Sequence, residues 1–455
     1  MVPTAQPAEG SECYQHTDPS LVGAQLRPDG ATAVVVRPAA RAGGRAQVLL
    51  VERATGPGAL ERVLTAALSV LAAPATDAVP SRPVSVVLDA GPYLEHLLHH
   101  AGSLDPVAVV RVTPRASTDP ALARHPSALV EALVSHRWVV PGGHDLLGRE
   151  LRLLDRDVLA DVVETLAGVA PRYVAVVAAG SAGQPAHERT VADAVQAALP
   201  GARISAAHDF GGHGSAAREA TVVADAALRG AVDVVVDRAE AVLRRRAGRR
   251  GAELRLCRGD GGSLSAERAR SAPVLVLGGG HGPAVLGAAL LAGLDRCRVV
   301  LPAVGGGHLV GGVRNGLALV RPLVVGSPPA ELVVPTVAVD RARPGVAGDR
   351  LPADAGSPVD GQVPDVVADR PLDELACAGA ALARPLSWLD EIAAIGSADD
   401  LAAVQRTAVQ RATALATANG AEPGSADVVE VSAVAVPYSR AGTVRVRVRV
   451  GGAGR

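Results

Sequence analysis

Residues 173–211 read YVAVVAAGSAGQPAHERTVADAVQAALPGARISAAHDFG. Tyr173–Ala178 is a continuous apolar run with three valines, as suits a strand buried on both faces. His187–Ala198 has helical spacing, and Ala202–Ala206 is a second short apolar run. A strand, a crossover helix and a strand form the unit of a parallel sheet.

The same alternation extends in both directions. Toward the N-terminus, strands are expected at Val84–Leu88, Val107–Val112 and Trp138–Val140, with helices at Tyr93–His100, Ala121–Ser135 and Asp157–Ala167. Ala31–Arg37 and Ala46–Glu52 suggest a β-hairpin, followed by a helix at Ala59–Leu71. Toward the C-terminus come a long helix, Arg218–Arg246, strands at Glu253–Cys257, Val274–Leu277 and Val299–Ala303, and a helix at Ala284–Leu294. Helices at Leu372–Leu382 and Ser397–Ala418 precede a hairpin of Val428–Val436 and Thr443–Val450. In that last strand Val444, Val446, Val448 and Val450 alternate with Arg445, Arg447 and Arg449, which reads as a half-exposed edge whose arginines discourage further pairing. The expected division is a loose lead-in over 1–30, an N-terminal lobe over 31–200 and a glycine-loop α/β lobe over 201–326. A Pro/Gly-rich linker over 327–371 and a helix–hairpin segment over 372–455 follow.

Composition narrows the chemistry. The 455 residues carry 45 basic side chains, all arginine, against 46 acidic ones. Without lysine, neither a phosphate-loop NTPase of the usual kind nor a Schiff-base enzyme is possible. A net charge of -1 argues against general nucleic-acid or anionic-membrane binding. The four cysteines (Cys13, Cys257, Cys297, Cys377) are isolated and suit a reducing compartment, and Met1–Gln6 has no signal-peptide pattern, so a cytoplasmic protein is expected.

Candidate site residues cluster after strands. His144-Asp145, His187-Glu188 and His208-Asp209 each follow one, where α/β proteins place their chemistry, and Asp260 lies on another such turn. Two glycine turns, Gly278-Gly279-Gly280 and Gly305-Gly306-Gly307, offer amides that can approach a phosphate. Tight packing is their alternative reading. His96 and His100 have zinc-like spacing but no third ligand, so no metal site is expected.

In order, these segments resemble the hydantoinase A/5-oxoprolinase family. The carriers are Val139–Gly148-Arg149 with its Gly-Gly-His-acid turn, Gln184-Pro185-Ala186-His187-Glu188, Ile204–Gly211, Arg218-Glu219, Asp260-Gly261-Gly262 and the closing Ala421–Val448 segment. The resemblance implies actin–hexokinase-like (ribonuclease H-like) ATPase lobes with a mainly parallel sheet, here with a shortened second lobe. It also implies hydrolysis of cyclic amides such as hydantoin or 5-oxoproline with ATP and Mg²⁺, and a B-type partner subunit or a homo-oligomer. The catalytic set would be His144, Asp145, His187, Glu188, His208 and Asp260, with the two glycine turns on the nucleotide.

The departures from the family's pattern bear on activity. Its phosphate loop Asp-Val-Gly-Gly-Thr-Thr-Thr-Asp stands here as Ala303-Val304-Gly305-Gly306-Gly307-His308-Leu309-Val310, without a carboxylate or hydroxyl. Its first phosphate hairpin has no counterpart, its place being taken by the hairpin over 31–52. Its Gly-Thr-Thr-x-x-Thr-Asn turn is Asp89-Ala90-Gly91-Pro92-Tyr93-Leu94-Glu95. Glycines alone do not hold Mg²⁺ and phosphate. The expectation is a relative that has lost ATP-dependent hydrolysis and serves as a partner or regulatory subunit. The alternative is an amidohydrolase with an altered site.

Overall fold

A computed structural model describes residues 21–39, 44–71, 84–115, 124–246, 251–303, 306–342, 363–437 and 439–454. Cys13, the start of the helix expected from Ala121, Gly305 and much of the 327–371 linker lie outside them.

The chain begins as an antiparallel meander of β1 (Leu21–Arg27), β2 (Gly30–Arg37) and β3 (Gln47–Thr55). The expected hairpin stands as β2–β3, and β1 precedes it through a turn at Pro28-Asp29, so residues 21–30 belong to the sheet rather than to a loose lead-in. Helix α1 (Ala59–Leu71) covers this meander, and β4 (Val84–Asp89) pairs parallel to β1, Val22 facing Val86. After α2 (Gly91–His99) the chain builds a second sheet. It uses β5 (Val107–Thr113), α3 (Ala128–Leu133), β6 (Val134–Pro141), a small hairpin of β7 (Gly143–His144) and β8 (Glu150–Arg152), α4 (Arg156–Val169), β9 (Tyr173–Ala178), α5 (Ala186–Ala198) and β10 (Arg203–Ala206). The order β10-β9-β5-β6 is parallel throughout, as the opening stretch predicts. The helix expected over 121–135 shrinks to α3, because the β-branched Val134 begins a strand alongside Val107.

Helix α6 (Ser215–Arg246) spans the molecule and is buried along most of its length. Beyond it, β11 (Ala252–Cys257) returns to the first sheet parallel to β4, with β12 (Ser263–Ser265) at its edge. The first sheet, β12-β11-β4-β1-β2-β3, thus frames the second as an insertion between β4 and β11. The main core lies where α1 and α6 pack on this sheet.

Helix α7 (Ala266–Ser271) leads to Pro273–Val276, which is a 3₁₀ turn and not the expected strand. A four-residue apolar run opened by proline buries itself against α6 without a ladder. Helix α8 (His281–Ala292) then packs across α9 (Leu372–Ala381) through facing glycines. A Cβ on Gly287 would sit 2.0 Å from the Leu375 carbonyl oxygen, and one on Gly379 would sit 1.8 Å from that of Pro283. Between these helices run β13 (Cys297–Pro302), β14 (His308–Arg314), β15 (Leu317–Ala318), the pair β16 (Val320–Val325) and β17 (Ala330–Val337), β18 (Val339–Ala342) and β19 (Asp365–Val367). The stretch expected to be a linker therefore contributes three strands: β17 pairs β16, β18 pairs β14, and β19 lies parallel to β13.

The C-terminal segment holds β20 (Leu386–Ala394), α10 (Ala398–Ala418), β21 (Asp427–Ala435) and β22 (Thr443–Gly451). Its order is β20-β22-β21, so the valine–arginine strand is central and not an edge. Its arginines pair inward. Arg445 forks onto Asp390 of β20 at 2.7 and 2.5 Å, and Arg449, buried, donates to the carbonyls of Ala318 and Asp260. Among the described residues no helix is long and apolar enough to cross a membrane.

Candidate functional site

The C-terminal ends of β5, β6 and β9 point the same way, and the turns that follow them interlock. Gly180 takes a positive φ of 71°, and a Cβ there would lie 2.3 Å from the His144 carbonyl oxygen. Gly143 (φ 119°) lets the opposite strand end turn back on Ala179, whose Cβ would lie 3.0 Å from one placed there. His144 is pinned by this crossing, its amide donating to Ala179 at 3.0 Å.

A cleft of about 750 Å³ opens over these turns. His144 and Asp145 line it from β7 and the residue after it, Arg111 and Thr113 from β5, Ala178–Gly180 from β9, and Gly214–Ala216 from the start of α6. His144 is 6% exposed, and its Nδ1 is buried without a hydrogen-bond partner. Burial, followed by the neighbouring His187, holds its pKa below the ordinary histidine value, which leaves it neutral and able to accept a proton. The two imidazoles lie 4.3 Å apart.

His187 is fixed by two bonds. Its Nδ1 accepts the Gly143 N–H at 2.9 Å, and its Nε2 faces Glu150 Oε1 at 2.9 Å. A backbone amide only donates, so Nδ1 carries the lone pair and the neutral ring keeps its proton on Nε2, directed at Glu150. Ligand atoms of His144, Glu150 and His187 lie within 4.8 Å of one another, close enough to surround a cation. The tautomer works against it: a metal on Nε2 needs that proton displaced and the Gly143 amide left without its acceptor. The set fits a histidine–carboxylate pair better than a metal centre.

The other expected residues separate from this group. Asp145 ties its own turn, accepting from the amides of Leu147 and Arg149 at 2.9 Å each. Glu188 is wholly buried and saturated. It accepts from Ala178 N (2.7 Å), Ser181 Oγ (2.5 Å), His208 N (2.6 Å) and His208 Nδ1 (2.8 Å), with Arg218 at 4.0 Å. It is a joint between β9, α5 and the turn after β10, with His208 as part of that joint. Asp260 lies elsewhere, in a forked bond with Arg258 at 3.0 Å, under the carbonyl contact from Arg449. Burial pushes its pKa upward, but Arg258 and Arg449 outweigh burial and keep it below the usual value. His96 and His100 lie with ring centres 4.2 Å apart and tilted at the exposed end of α2, and no third ligand joins them among the described residues.

The glycine turns differ from each other in surroundings. Gly306 and Gly307 stand at the exposed tip of the β13–β14 hairpin, with open space around both. Gly278 is buried with Gly279 and Gly280 half-buried beside it, and the amides of Gly278 and Gly280 are already taken. Gly278 N donates to Glu95 Oε1 at 2.5 Å, and Gly280 N donates to Asp89 Oδ2 at 3.0 Å. Asp89, fully buried, also accepts from Gln25 Nε2 (2.9 Å) and Gly91 N (3.1 Å). Burial raises both carboxyls, and burial together with the charge of Asp89 takes Glu95 to about 7. The place where a phosphate would sit holds the chain's own carboxylates, so the turn does not fit a nucleotide phosphate.

Glu150, Asp89 and Glu95 escaped sequence reasoning. Glu150 belongs to no motif and reaches His187 only through the β7–β8 hairpin. The other two carried a signal, since carboxylates stand at the first and last positions of the resembled family's Gly-Thr-Thr-x-x-Thr-Asn turn, whose hydroxyls are gone.

No family model and no curated protein sequence matches this chain. Solved structures do. A nucleotide-free acetone carboxylase, described as performing ATP-dependent acetone carboxylation, superposes with a TM-score of 0.59 at 12% identity, over 95% of this chain and 88% of that one. An ATP-dependent caprolactamase from Pseudomonas jessenii gives 0.62 at 12% identity, over 94% and 87%. At such identity the likeness establishes a common fold, that of ATPase-type α/β lobes.

Proposed function

We propose that this chain is a divergent relative of the hydantoinase/oxoprolinase enzymes that has lost ATP-dependent hydrolysis and keeps a nucleotide-independent site in the strand-end cleft. The observation that carries the loss is the pair Asp89 and Glu95, seated on the amides of Gly278 and Gly280. A phosphate there meets two carboxyl groups in place of free donors, and the hydroxyl-free tip at Gly306-Gly307 supplies no compensating ligand for Mg²⁺.

In the cleft, His144 is the base. It is neutral and lines the cleft, and its Nδ1 has no hydrogen-bond partner, while Glu150 holds His187 behind it. Such a group takes a proton from water as that water attacks an amide carbonyl, then returns it to the departing nitrogen. A cyclic amide is the substrate class that the resemblance and the caprolactamase neighbour support.

The test has two arms. Mg-ATP at millimolar concentration leaves the melting temperature of the full chain unchanged, and a clear rise overturns the loss. A lactam and hydantoin panel without ATP yields turnover that His144→Ala abolishes, and silence across the panel overturns the enzymatic reading.

A second reading has its own support. Leu146 (48%), Leu147 (38%), Leu151 (55%) and Leu153 (75%) stand exposed on and beside the β7–β8 hairpin, and Leu146 lines the cleft. So much leucine in one place marks a contact surface. On this reading the chain is a partner or regulatory subunit, or a homo-oligomer. Sedimentation of the chain alone and of a Leu151→Asp/Leu153→Asp variant tests the homo-oligomer. Matching monomeric profiles remove that form.

A further inference from the structure

The cleft has a charge pattern that its acid–base pair does not explain. The two carboxylates among its described lining residues are already committed. Glu219 takes a forked bond from Arg111 (2.7 and 2.7 Å) and another bond from Arg137 (3.2 Å), and Asp145 ties its own turn. Arg115 and Arg124 stand exposed at the rim, with no ion-pair partner among the described residues. Arg218, 4% exposed, lines the wall one turn into α6, and its Nε is unpartnered.

Between these groups begins the longest helix of the molecule. Gly214, Ser215 and Ala216 line the cleft and are exposed, and the amides of Gly214–Ala217 have no partner among the described residues. A 32-residue helix that opens uncapped into a cavity presents free donors and a partial positive charge there. Facing the same cavity is His144, more than nine-tenths buried and without a partner. The opposing lining is apolar, with Val139, Val177, Ile392 and Val436.

We infer that the start of α6 is an oxyanion subsite, and that the cleft takes a small organic anion. Its carboxylate or phosphate docks on the Gly214–Ala217 amides beneath Arg124, and its apolar body lies toward His144. This deepens the function proposed above and rests on the same cleft. Amide donors at a helix start suit an oxyanion of either kind, and a volume of about 750 Å³ leaves room for a molecule well beyond a single ion.

The experiment is a calorimetric titration of the full chain at constant ionic strength. The probes are hexanoate, 5-oxoproline and inorganic phosphate, with chloride as control. Saturable binding of at least one oxyanion is expected, and the three arms separate a carboxylate from a phosphate ligand. Ser215→Asp puts a fixed negative charge on the first helical position, where it favours the helix but repels an anion. It is expected to weaken binding at least tenfold with an unchanged or higher melting temperature. Arg124→Gln is expected to weaken it severalfold. Equal binding by wild type and Ser215→Asp, or no saturable binding by any probe, overturns the inference. The two proposals fail separately. His144→Ala ends turnover but leaves oxyanion binding in place, whereas Ser215→Asp removes oxyanion binding whether or not any lactam is opened.

Discussion

At the scale of single residues, the absence of lysine leaves a mark on the structure. Buried acids are met by forks: Arg111 on Glu219, Arg258 on Asp260 and Arg445 on Asp390 each place two nitrogens on two carboxylate oxygens. A lysine ammonium has no such geometry. Glu188 differs, because neutral donors outnumber charged ones around it. Replacing it with Gln keeps the shape but turns an acceptor into a donor facing Ala178 N–H, Ser181 or His208. The expected loss is about 2–4 kcal/mol of unfolding free energy by urea titration. A loss below about 1 kcal/mol would mean that Glu188 is not the joint described here. The sequence places His144, His187, Glu188 and His208 after strands; in the structure His144 ends β7, His187 and Glu188 stand in the first turn of α5, and His208 lies in the turn after β10. It did not show which carboxylate serves which histidine. That depends on the hairpin that brings Glu150 back to His187 and on the turn that folds His208 onto Glu188.

At the scale of elements, patterns held wherever one period ruled. Helix α1 and strand β9 stand at the residues their spacing predicts, Ala59–Leu71 and Tyr173–Ala178. The errors came where a partner decides. Leu386–Ala394 mixes apolar and acidic residues, so its pattern does not announce β20, and without β20 the valine–arginine strand β22 reads as an edge. Once β20 is placed, the arginines of β22 become cross-strand and interlobe ties. Arg449→Met removes the donor to the carbonyls of Asp260 and Ala318, leaving both buried and unpaired, for an expected cost of about 2–3 kcal/mol. Full stability in that variant would show that the charge's burial cost cancels its bonds. The α8–α9 crossing is stricter. Gly379→Val forces backbone apart where even a Cβ lies 1.8 Å from the Pro283 oxygen, and the expected result is little folded protein at 37 °C. Circular dichroism melts check it, and a melting point within a few degrees of wild type contradicts the packing.

At the scale of the whole molecule, Asp89 and Glu95 tie the first sheet and α2 to the turn that opens α8, which links the plug to stability. Glu95 ordinarily titrates near 4.5, and in the fold it does so at about 7. The folded state therefore holds more protons than the unfolded chain between those values. Stability from this group is complete below the lower value and is lost as pH rises through the upper. A shift of this size corresponds to about 3 kcal/mol. Asp89, raised by burial, adds in the same direction. Histidines that burial holds below their usual value, the buried His144 and the half-buried His281 among them, act with the opposite sign over a neighbouring range, so the wild-type slope alone does not isolate Glu95. The comparison with Glu95→Gln does, because Gln keeps an acceptor for Gly278 but does not titrate. Urea unfolding at pH 5 and pH 8 is expected to show wild type losing about 2–3 kcal/mol more than the variant across that interval. Identical losses would place Glu95 outside the buried contact. The same variant separates plug from scaffold: a phosphate site closed by Glu95 alone would reopen to Mg-ATP in Glu95→Gln. With Asp89 still on Gly280, and no hydroxyl at Gly306-Gly307, the expected result is no stabilisation by nucleotide at either pH.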